Sequence, residues 1–274
     1  MKWMLCLLFP LAVHCQAVNE TSPGKYVYQL AGVVNNYAKK QKFAEGGTCF
    51  FIKKDGDLFM VTAKHVLTGC EDASRKKQYY PNKLFLLLKD NDDASTIRVK
   101  IDIAAIRDSA QCRSYTDDPD VMVLKMPASL NDKVNTVEDL LNDEPDTNDA
   151  AVLVGYNHIA VDKKSIYYSD PVDIVLAPNS YTINEPVYKN GKKDRINYLI
   201  LTNEAIVTNT PQGMSGAPVF FSNPATGRLG ILGVFIRNGT YTEGSNRQNS
   251  FTLVKNRFYL NKLRQAEQVA INIK

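Results

Sequence analysis

Three short segments combine residue types that together could carry out acyl transfer. His65 ends an apolar stretch in the run V-T-A-K-H-V, and Asp120 precedes one in the run D-P-D-V-M-V-L. Ser215 lies between glycines in the run Q-G-M-S-G-A-P-V, which indicates a tight loop before a strand. A serine hydroxyl needs a base within hydrogen-bond reach to act as a nucleophile, and imidazole titrates near neutral pH. Because a carboxylate can fix the imidazole tautomer, the segments predict a nucleophile, a base and an orienting acid.

Gly213 predicts a further part of the same chemistry. A glycine tolerates the turn that would let the backbone N–H groups of Gly213 and Ser215 point at one spot. Two such donors would form an oxyanion hole, which stabilises the tetrahedral intermediate of acyl transfer. The alternative for Ser215 is an ordinary serine in a turn.

Three other residues compete for the roles of base and acid. His158 follows a predicted strand in the run G-Y-N-H, and this loop position favours a surface histidine. Asp117 and Asp118 compete with Asp120 as the orienting acid. Only Asp120 directly precedes the apolar run V-M-V-L, so it is the predicted acid.

The first 17 residues are typical of a secretory signal peptide. Lys2 supplies a positive charge, residues 3–13 are mostly apolar, and Ala17 is a small residue suited to cleavage. A bacterial lipobox ending at Cys15 is a competing interpretation, which His14 fits poorly. The apolar run is too short to span a bilayer comfortably. We therefore expect a secreted or periplasmic protein without stable membrane insertion.

The composition indicates an ordinary globular protein. Hydrophobic residues make up 44% and charged residues 23% of the sequence. A chain of 274 residues is long enough for one large β domain or two modest ones. The net charge is +4, and removal of residues 1–17 would take away Lys2 and no acidic residue, leaving +3. Because the basic residues form only short clusters, no nucleic-acid interface is predicted.

The cysteines suggest neither a metal site nor a cofactor. Five cysteines fall to three, namely Cys49, Cys70 and Cys112, if residues 1–17 are removed. An exported protein could pair two of them, and one thiol would then remain free. None lies in a C-x-x-C spacing, so a zinc site is not expected.

Short strands separated by turn residues dominate the chain after Gly46. The predicted strands are 48–53, 58–63, 83–89, 97–103, 121–126, 150–156, 172–177, 198–202, 217–221, 229–237 and 250–254. Helical spacing of apolar residues predicts an amphipathic helix over 23–40 and a terminal helix from about 254 to 269. Many short strands with turns between them favour barrels or sandwiches over a parallel α/β sheet.

The motifs around His65, Asp120 and Ser215 together resemble those of trypsin-like serine peptidases. The runs T-A-K-H-V, D-x-D-V-M-V-L and G-M-S-G-A-P-V occur in that family's order of histidine, aspartate and serine. The upstream run G-G-T-C-F-F and the later run G-I-L-G-V-F-I are also similar to family strands, so the resemblance covers about residues 44–260. It implies two six-stranded antiparallel β-barrels with the site between them. By the same resemblance, Gly213 and Ser215 supply the oxyanion donors.

Two departures limit what the resemblance implies. Met214 stands where the digestive enzymes have an aspartate that pairs with a new N-terminus, so activation by that route is not expected. The chain is therefore more similar to glutamyl endopeptidases and high-temperature-requirement proteases. The predicted substrate-binding residues follow by position in the family: Asn209, Thr210, Phe235, Ile236 and Arg237. No carboxylate lies among them, and Arg237 could attract an acidic substrate side chain or point to solvent.

These observations predict an all-β double barrel with an N-terminal and a C-terminal helix. The expected parts are a signal peptide over 1–17, a helical segment over 18–45, barrels over 46–130 and 150–254, a linker over 131–149 and a helix over 255–274. The expected function is a monomeric, secreted serine endopeptidase that acts on protein or peptide substrates. The alternatives are an inactive pseudopeptidase that serves as a binding module, and an esterase that uses the same residues.

The resemblance also suggests a disulfide. Cys49 and Cys70 flank the segment of His65 and could bridge, as cysteines near the catalytic histidine often do in the family. Two free buried thiols are the open alternative, and Cys112 is expected to be unpaired.

Overall fold

A computed structural model provides the fold of the chain. It describes residues 22–36, 41–68, 83–89, 96–102, 119–141, 145–157, 161–162, 165–166, 170–186, 197–204, 206, 211–223, 225–268 and 271–273. The predicted signal peptide therefore lies outside the described residues, as do His158, Cys70 and Cys112.

Strands make up most of the described chain. They are β1 Val27–Asn36, β2 Gln41–Lys54, β3 Asp57–Thr62, β4 Lys83–Lys89, β5 Thr96–Ile101, β6 Met122–Met126, β7 Ala150–Gly155, β8 Val161–Asp162, β9 Ser165–Ile166, β10 Val172–Leu176, β11 Thr182–Asn184, β12 Tyr198–Thr202, β13 Pro218–Asn223, β14 Arg228–Glu243, β15 Asn246–Lys255, β16 Glu267–Gln268 and β17 Ile271–Ile273. Most of the predicted strands are confirmed to within a few residues at each end.

Among the described residues, helices are few and short. The described α-helices are α1 Lys64–Thr68 and α2 Asn256–Leu260, and the 3₁₀ turns are Pro23–Tyr26, Ala128–Leu130, Glu138–Leu140 and Leu263–Gln265. Among the described residues, none of the helices has the length and apolar character needed to cross a membrane.

The first sheet has eight strands in the order β16-β6-β3-β2-β1-β4-β5-β17. Its two outer strands, β16 and β17, are joined by only residues 269–270. Three Cα–Cα steps reach at most about 11 Å, so the two edges of this sheet must lie close together. The sheet is therefore curled, and the end of the chain bridges its seam. β16 runs parallel to β6, and the other strand pairs of this sheet are antiparallel.

The second sheet has seven antiparallel strands in the order β10-β7-β13-β14-β15-β12-β11. Its outer strands β10 and β11 are consecutive in the chain and are separated only by residues 177–181. A sheet whose edge strands follow each other this closely must also curl back on itself. Together the two curled sheets confirm the predicted all-β double-barrel fold. Each sheet contains more strands than the six that were expected.

The described residues form three hydrophobic cores, which hold the two sheets. One lies inside the first sheet and includes Phe51, Met60 and Leu86. A second lies inside the second sheet and includes Met214, Phe221 and Phe251. The third contains residues of both sheets and of the C-terminal segment, and so forms the interface between the barrels. The interface core includes Phe50, Val61, Val121, Val154, Phe220, Val234, Tyr259 and Leu263.

The predicted helix over 23–40 is wrong. Only a 3₁₀ turn forms at Pro23–Tyr26, and Val27–Asn36 is a strand that pairs with β2 on one side and β4 on the other. Leu30 and Ala31 are both fully buried although they point to opposite faces of the sheet. A strand that is buried on both faces does not alternate between apolar and polar residues, and in this segment the spacing of the apolar residues matches that of a helix.

The predicted C-terminal helix over 255–274 is largely wrong. A helix does begin at Asn256, but it ends at Leu260, and a 3₁₀ turn with two short strands follows. Of the apolar residues whose spacing suggested a longer helix, Leu263 is buried in the interface core, and Leu260 and Ala266 pack against it. β17 pairs with β5, and this tertiary pairing replaced the local helical preference.

The segment predicted as a linker over 131–149 packs against the first sheet in its first half. Val137 is fully buried, and its N–H donates to the carbonyl oxygen of Phe51 at 3.0 Å. The same segment contains the 3₁₀ turn Glu138–Leu140.

Candidate active site

His65 lies in the first turn of α1, directly after the strand that precedes it. β2 and β3 form a hairpin with a two-residue turn, in which Asp55 and Gly56 both have positive φ. Such a turn matches the twist of the flanking strands, so it fixes the register of the hairpin. His65 follows the end of β3 and lies at the rim of the interface core, where the side chain of His65 is 14% exposed.

Asp120 binds His65 through both carboxylate oxygens. The Nδ1 atom of His65 lies 2.5 Å from Oδ2 of Asp120, and the backbone N–H of His65 donates to Oδ1 at 2.9 Å. An ionised carboxylate only accepts hydrogen bonds, so this contact assigns the proton to Nδ1. The Nε2 atom of a neutral His65 is then left as the acceptor, which is the state that a general base requires.

The register of the first sheet explains how this pair forms. β6 pairs with β3, so that Met122 lies opposite Thr62. Asp120 therefore reaches the level of α1, and its carbonyl oxygen accepts from the N–H of Lys64 at 3.3 Å. Asp120 is only 6% exposed. The main chain of Asp120 is thus tied to Lys64 of α1, while its carboxylate contacts the backbone N–H and the ring of His65.

Ser215 lies in a loop that packs tightly against the strands carrying His65. Gly216 has φ +89°, and a Cβ atom on it would lie 2.2 Å from the carbonyl oxygen of Thr48 and 2.7 Å from the nitrogen of Ala63. Only glycine can satisfy both the backbone conformation and this close approach. Since Ala63 is two residues before His65, the loop brings the serine next to the histidine segment.

Backbone hydrogen bonds fix the loop from several directions. The carbonyl oxygen of Ser215 accepts from the N–H of Thr48 at 2.9 Å, and the N–H of Gly216 donates to the carbonyl oxygen of Phe235 at 2.8 Å. Within the loop, the N–H of Ala217 donates to the carbonyl oxygen of Met214 at 2.9 Å. The serine loop is therefore tied to the first barrel by β2 and to the second by β14.

Gly213 adopts a left-handed backbone conformation in the serine loop. Its φ is +92°, a value that favours glycine. Among the residues that the structure describes, none accepts a hydrogen bond from the N–H of Gly213 or of Ser215. Both groups are thus available for a ligand oxygen as far as the described chain is concerned.

The residues expected to bind substrate fall into two groups. Asn209 and Thr210 lie outside the described residues. Phe235 packs edge-on against Phe251 in the core of the second sheet, with ring centroids 5.2 Å apart. Ile236 is buried in the interface core at a β-bulge, and Arg237 is exposed. A substrate-binding role for these five residues stays a prediction.

Cys49 is fully buried and forms no disulfide with another of the described residues. Burial raises the pKa of the Cys49 thiol well above its usual value, so the reactive thiolate is disfavoured. Whether Cys49 pairs with Cys70 stays a prediction, since Cys70 is not among the described residues. Within the same described ranges, no cluster of three or more His, Cys, Asp or Glu side chains has a geometry that could hold a metal ion.

Two threonines near the site were not singled out from the sequence. Thr48 and Thr62 are both fully buried, and the hydroxyl of Thr62 donates to the carbonyl oxygen of Thr48 at 2.7 Å. The hydroxyl of Thr48 donates to the carbonyl oxygen of Gly213 at 3.3 Å. The sequence signal for Thr48 is that a polar residue lies within the apolar strand run G-T-C-F-F.

The comparison with protein families agrees with this geometry. The family model for the trypsin-like peptidase domain matches residues 47–231, about two thirds of the chain. The chain belongs to the trypsin-like peptidase family. The peptidase match contains the segments of His65, Asp120 and Ser215, and it supports a hydrolase that acts on peptide bonds. No curated protein matches the chain.

The peptidase domain as folded extends beyond the matched residues on both sides. β1 lies before the match and pairs with β2 along ten residues. Beyond Ile231, the rest of β14 and all of β15 complete the second sheet, while β16 and β17 complete the first. The two sheets of this chain are therefore completed by strands that lie outside the residues matched by the family model.

Proposed function

We propose that the protein is a secreted serine endopeptidase in which Ser215, His65 and Asp120 form the catalytic triad. The observation that carries the proposal is the two-point contact of Asp120 with the ring and backbone of His65. This contact supports a neutral imidazole whose Nε2 atom is the hydrogen-bond acceptor, beside a serine loop of the type that the family uses.

The proposed reaction proceeds through an acyl-enzyme. Ser215 Oγ attacks the substrate carbonyl carbon while its proton passes to His65 Nε2. The C–N bond then breaks, and the leaving amine takes the proton from His65. Water next gives a proton to His65 and attacks the ester carbon, and the ester bond breaks as Ser215 Oγ recovers that proton. The negatively charged oxygen of each tetrahedral intermediate is stabilised by the N–H groups of Gly213 and Ser215.

The finer assignments belong to the same proposal. Residues 1–17 direct export and are removed, and the mature chain acts as a monomer on proteins or peptides. Met214 in place of an acidic residue supports activity without a new N-terminal ion pair. This feature relates the chain to glutamyl endopeptidases and high-temperature-requirement proteases more than to the digestive enzymes.

Labelling with a fluorophosphonate probe tests the triad. The wild-type protein should be labelled, and both Ser215→Ala and His65→Ala should abolish labelling. Asp120→Asn should slow labelling by about 10³–10⁴-fold, because the tautomer of His65 is no longer fixed. Ser129→Ala is the matched control, since Ser129 is exposed in a 3₁₀ turn outside the serine loop.

Three outcomes would count against the proposal. A folded wild-type protein that is not labelled would favour a pseudopeptidase that acts as a binding module. Labelling that persists in Ser215→Ala would place the reactive nucleophile elsewhere. Labelling with cleavage of ester but not peptide substrates would favour an esterase.

A further inference from the structure

Thr48 joins both barrels to the serine loop through four hydrogen bonds. Its N–H donates to the carbonyl oxygen of Ser215, and its hydroxyl donates to the carbonyl oxygen of Gly213. Its hydroxyl oxygen also accepts from the N–H of Tyr156 at 3.0 Å, and its carbonyl oxygen accepts from the hydroxyl of Thr62. Thr48 is fully buried, so none of these bonds competes with bulk water.

These bonds fix successive peptide planes of the serine loop. The plane between Gly213 and Met214 is held at its oxygen by Thr48 and at its nitrogen by Pro211, at 3.1 Å. The next plane is held at the carbonyl oxygen of Met214 by Ala217, so the N–H of Ser215 must point the opposite way. The hydrogen bond accepted by the carbonyl oxygen of Met214 therefore sets the direction of the Ser215 N–H, which is one of the proposed oxyanion donors.

The hydroxyl of Thr48 contributes an anchor that the loop otherwise lacks. Gly213 has φ +92° and no side chain, so its own conformational preference is weak. Among the described residues, Thr48 has the only side chain that forms a hydrogen bond with the backbone of residues 211–217. Loss of this hydroxyl would leave the peptide plane between Gly213 and Met214, which adjoins the N–H of Gly213, held at its nitrogen but not at its oxygen.

Tyr156 gives the Thr48 hydroxyl its direction. A hydroxyl has one proton to donate, and the N–H of Tyr156 occupies one of its lone pairs, which turns that proton toward Gly213. Tyr156 is itself held, because its own hydroxyl donates to the carbonyl oxygen of Val27 at 3.2 Å. The anchor thus rests on β1 and β7 together.

We propose that Thr48 is a positioning residue that orients the oxyanion donors Gly213 and Ser215 through its side-chain hydroxyl. This inference rests on the proposed serine peptidase function. Thr48 touches neither the substrate nor the reacting atoms, and it acts by holding the carbonyl oxygen of Gly213. Its backbone N–H bond to Ser215 does not depend on the side chain, so substitution separates the two contributions.

The test compares second-order labelling rates with the fluorophosphonate probe, whose phosphoryl oxygen occupies the oxyanion hole. Thr48→Val keeps the shape of the side chain but removes the hydroxyl, and labelling should slow by about 10–100-fold, somewhat less than the loss of a direct donor. Thr48→Ser restores the hydroxyl and should label within about threefold of wild type. Thr202→Val is the matched control, because Thr202 is buried and accepts from Asn184 in the second sheet.

The pH profile of labelling separates positioning from general damage. Thr48→Val should lower the plateau rate and leave the midpoint of the profile unchanged, because the His65–Asp120 contact does not involve Thr48. A shifted midpoint would mean that the substitution disturbs the base, which would overturn the inference. Equal labelling rates for wild type and Thr48→Val would overturn it while leaving the triad intact. Absence of labelling in the wild type would overturn both proposals.

Discussion

Met214 illustrates how a single side chain can support the serine loop without touching substrate. It precedes Ser215, is fully buried, and packs in the core of the second sheet. Its backbone also takes part in two of the hydrogen bonds that fix the loop, with Pro211 and Ala217. The apolar side chain therefore anchors a glycine-rich loop by hydrophobic burial.

Replacement of Met214 by aspartate should therefore destabilise the fold. Met214→Asp places a charge in an apolar core without a partner, and the expected loss in the free energy of unfolding is about 3–5 kcal/mol. Met214→Leu keeps the volume and polarity and should cost less than about 1.5 kcal/mol. Denaturant unfolding measures both, and equal stability of the two variants would contradict this role for Met214.

The serine loop and β1 show how elements are decided by their neighbours. β1 is a central strand because β2 and β4 bond to its two edges, which its own sequence does not reveal. The serine loop is compact because Gly216 approaches the backbone of Thr48 and Ala63. In both elements, close contact with another part of the chain determines the local conformation.

Addition of one methyl group to the loop tests this contact. Gly216→Ala should destabilise the protein by at least about 2 kcal/mol, because it combines positive φ with a clash against fixed backbone atoms. It should also abolish fluorophosphonate labelling, since Ser215 is the adjacent residue.

Gly239→Ala is the control for that substitution. A Cβ atom on Gly239 meets nothing within 4 Å, so stability should change by no more than about 0.5 kcal/mol. Thermal unfolding and the labelling rate report on both variants. Normal labelling by Gly216→Ala would show that the loop tolerates displacement from β2 and β3.

The two barrels are connected across the whole molecule by the interface core and by the C-terminal segment. The ring of Tyr259 in α2 packs edge-on against Phe50 of β2, with centroids 5.9 Å apart. Nζ of Lys262 donates to the carbonyl oxygen of Val121, the residue after Asp120, at 3.4 Å. β16 and β17 then add to opposite edges of the first sheet. The chain's end thus completes the barrel that carries His65 and Asp120.

Deletion of residues 271–274 tests the seam of the first barrel. Loss of β17 exposes one edge of β5, and we expect the free energy of unfolding to fall by about 1–3 kcal/mol. A chain of this size loses roughly 2–4 °C in Tm for each kcal/mol. Labelling at low temperature should change little, because His65 and Asp120 are positioned by β3 and β6.

Deletion of Lys274 alone is the control for the shortened chain. Its Tm should equal that of the full chain, because β17 ends at Ile273. An unchanged Tm in the longer deletion would show that β17 adds nothing to the stability of the first barrel.

The sequence by itself determined the strand-rich character of the chain and the residues whose side chains could carry out catalysis. Turn clusters such as that at Asp55–Gly56 and the apolar runs around them located most strands, because these signals are local. The order and motifs of His65, Asp120 and Ser215 led to the trypsin-like family, to which the chain belongs.

Only the tertiary structure decided which segments were central strands and which contacts hold the site. The segment after Tyr26 and the tail after Leu260 had helical spacing, but pairing with distant strands outweighed that local preference. The role of Thr48 is also invisible in sequence, since its partner Gly213 lies 165 residues away in the chain. Long-range hydrogen bonds depend on the register and curvature of both sheets, and no local pattern contains that information.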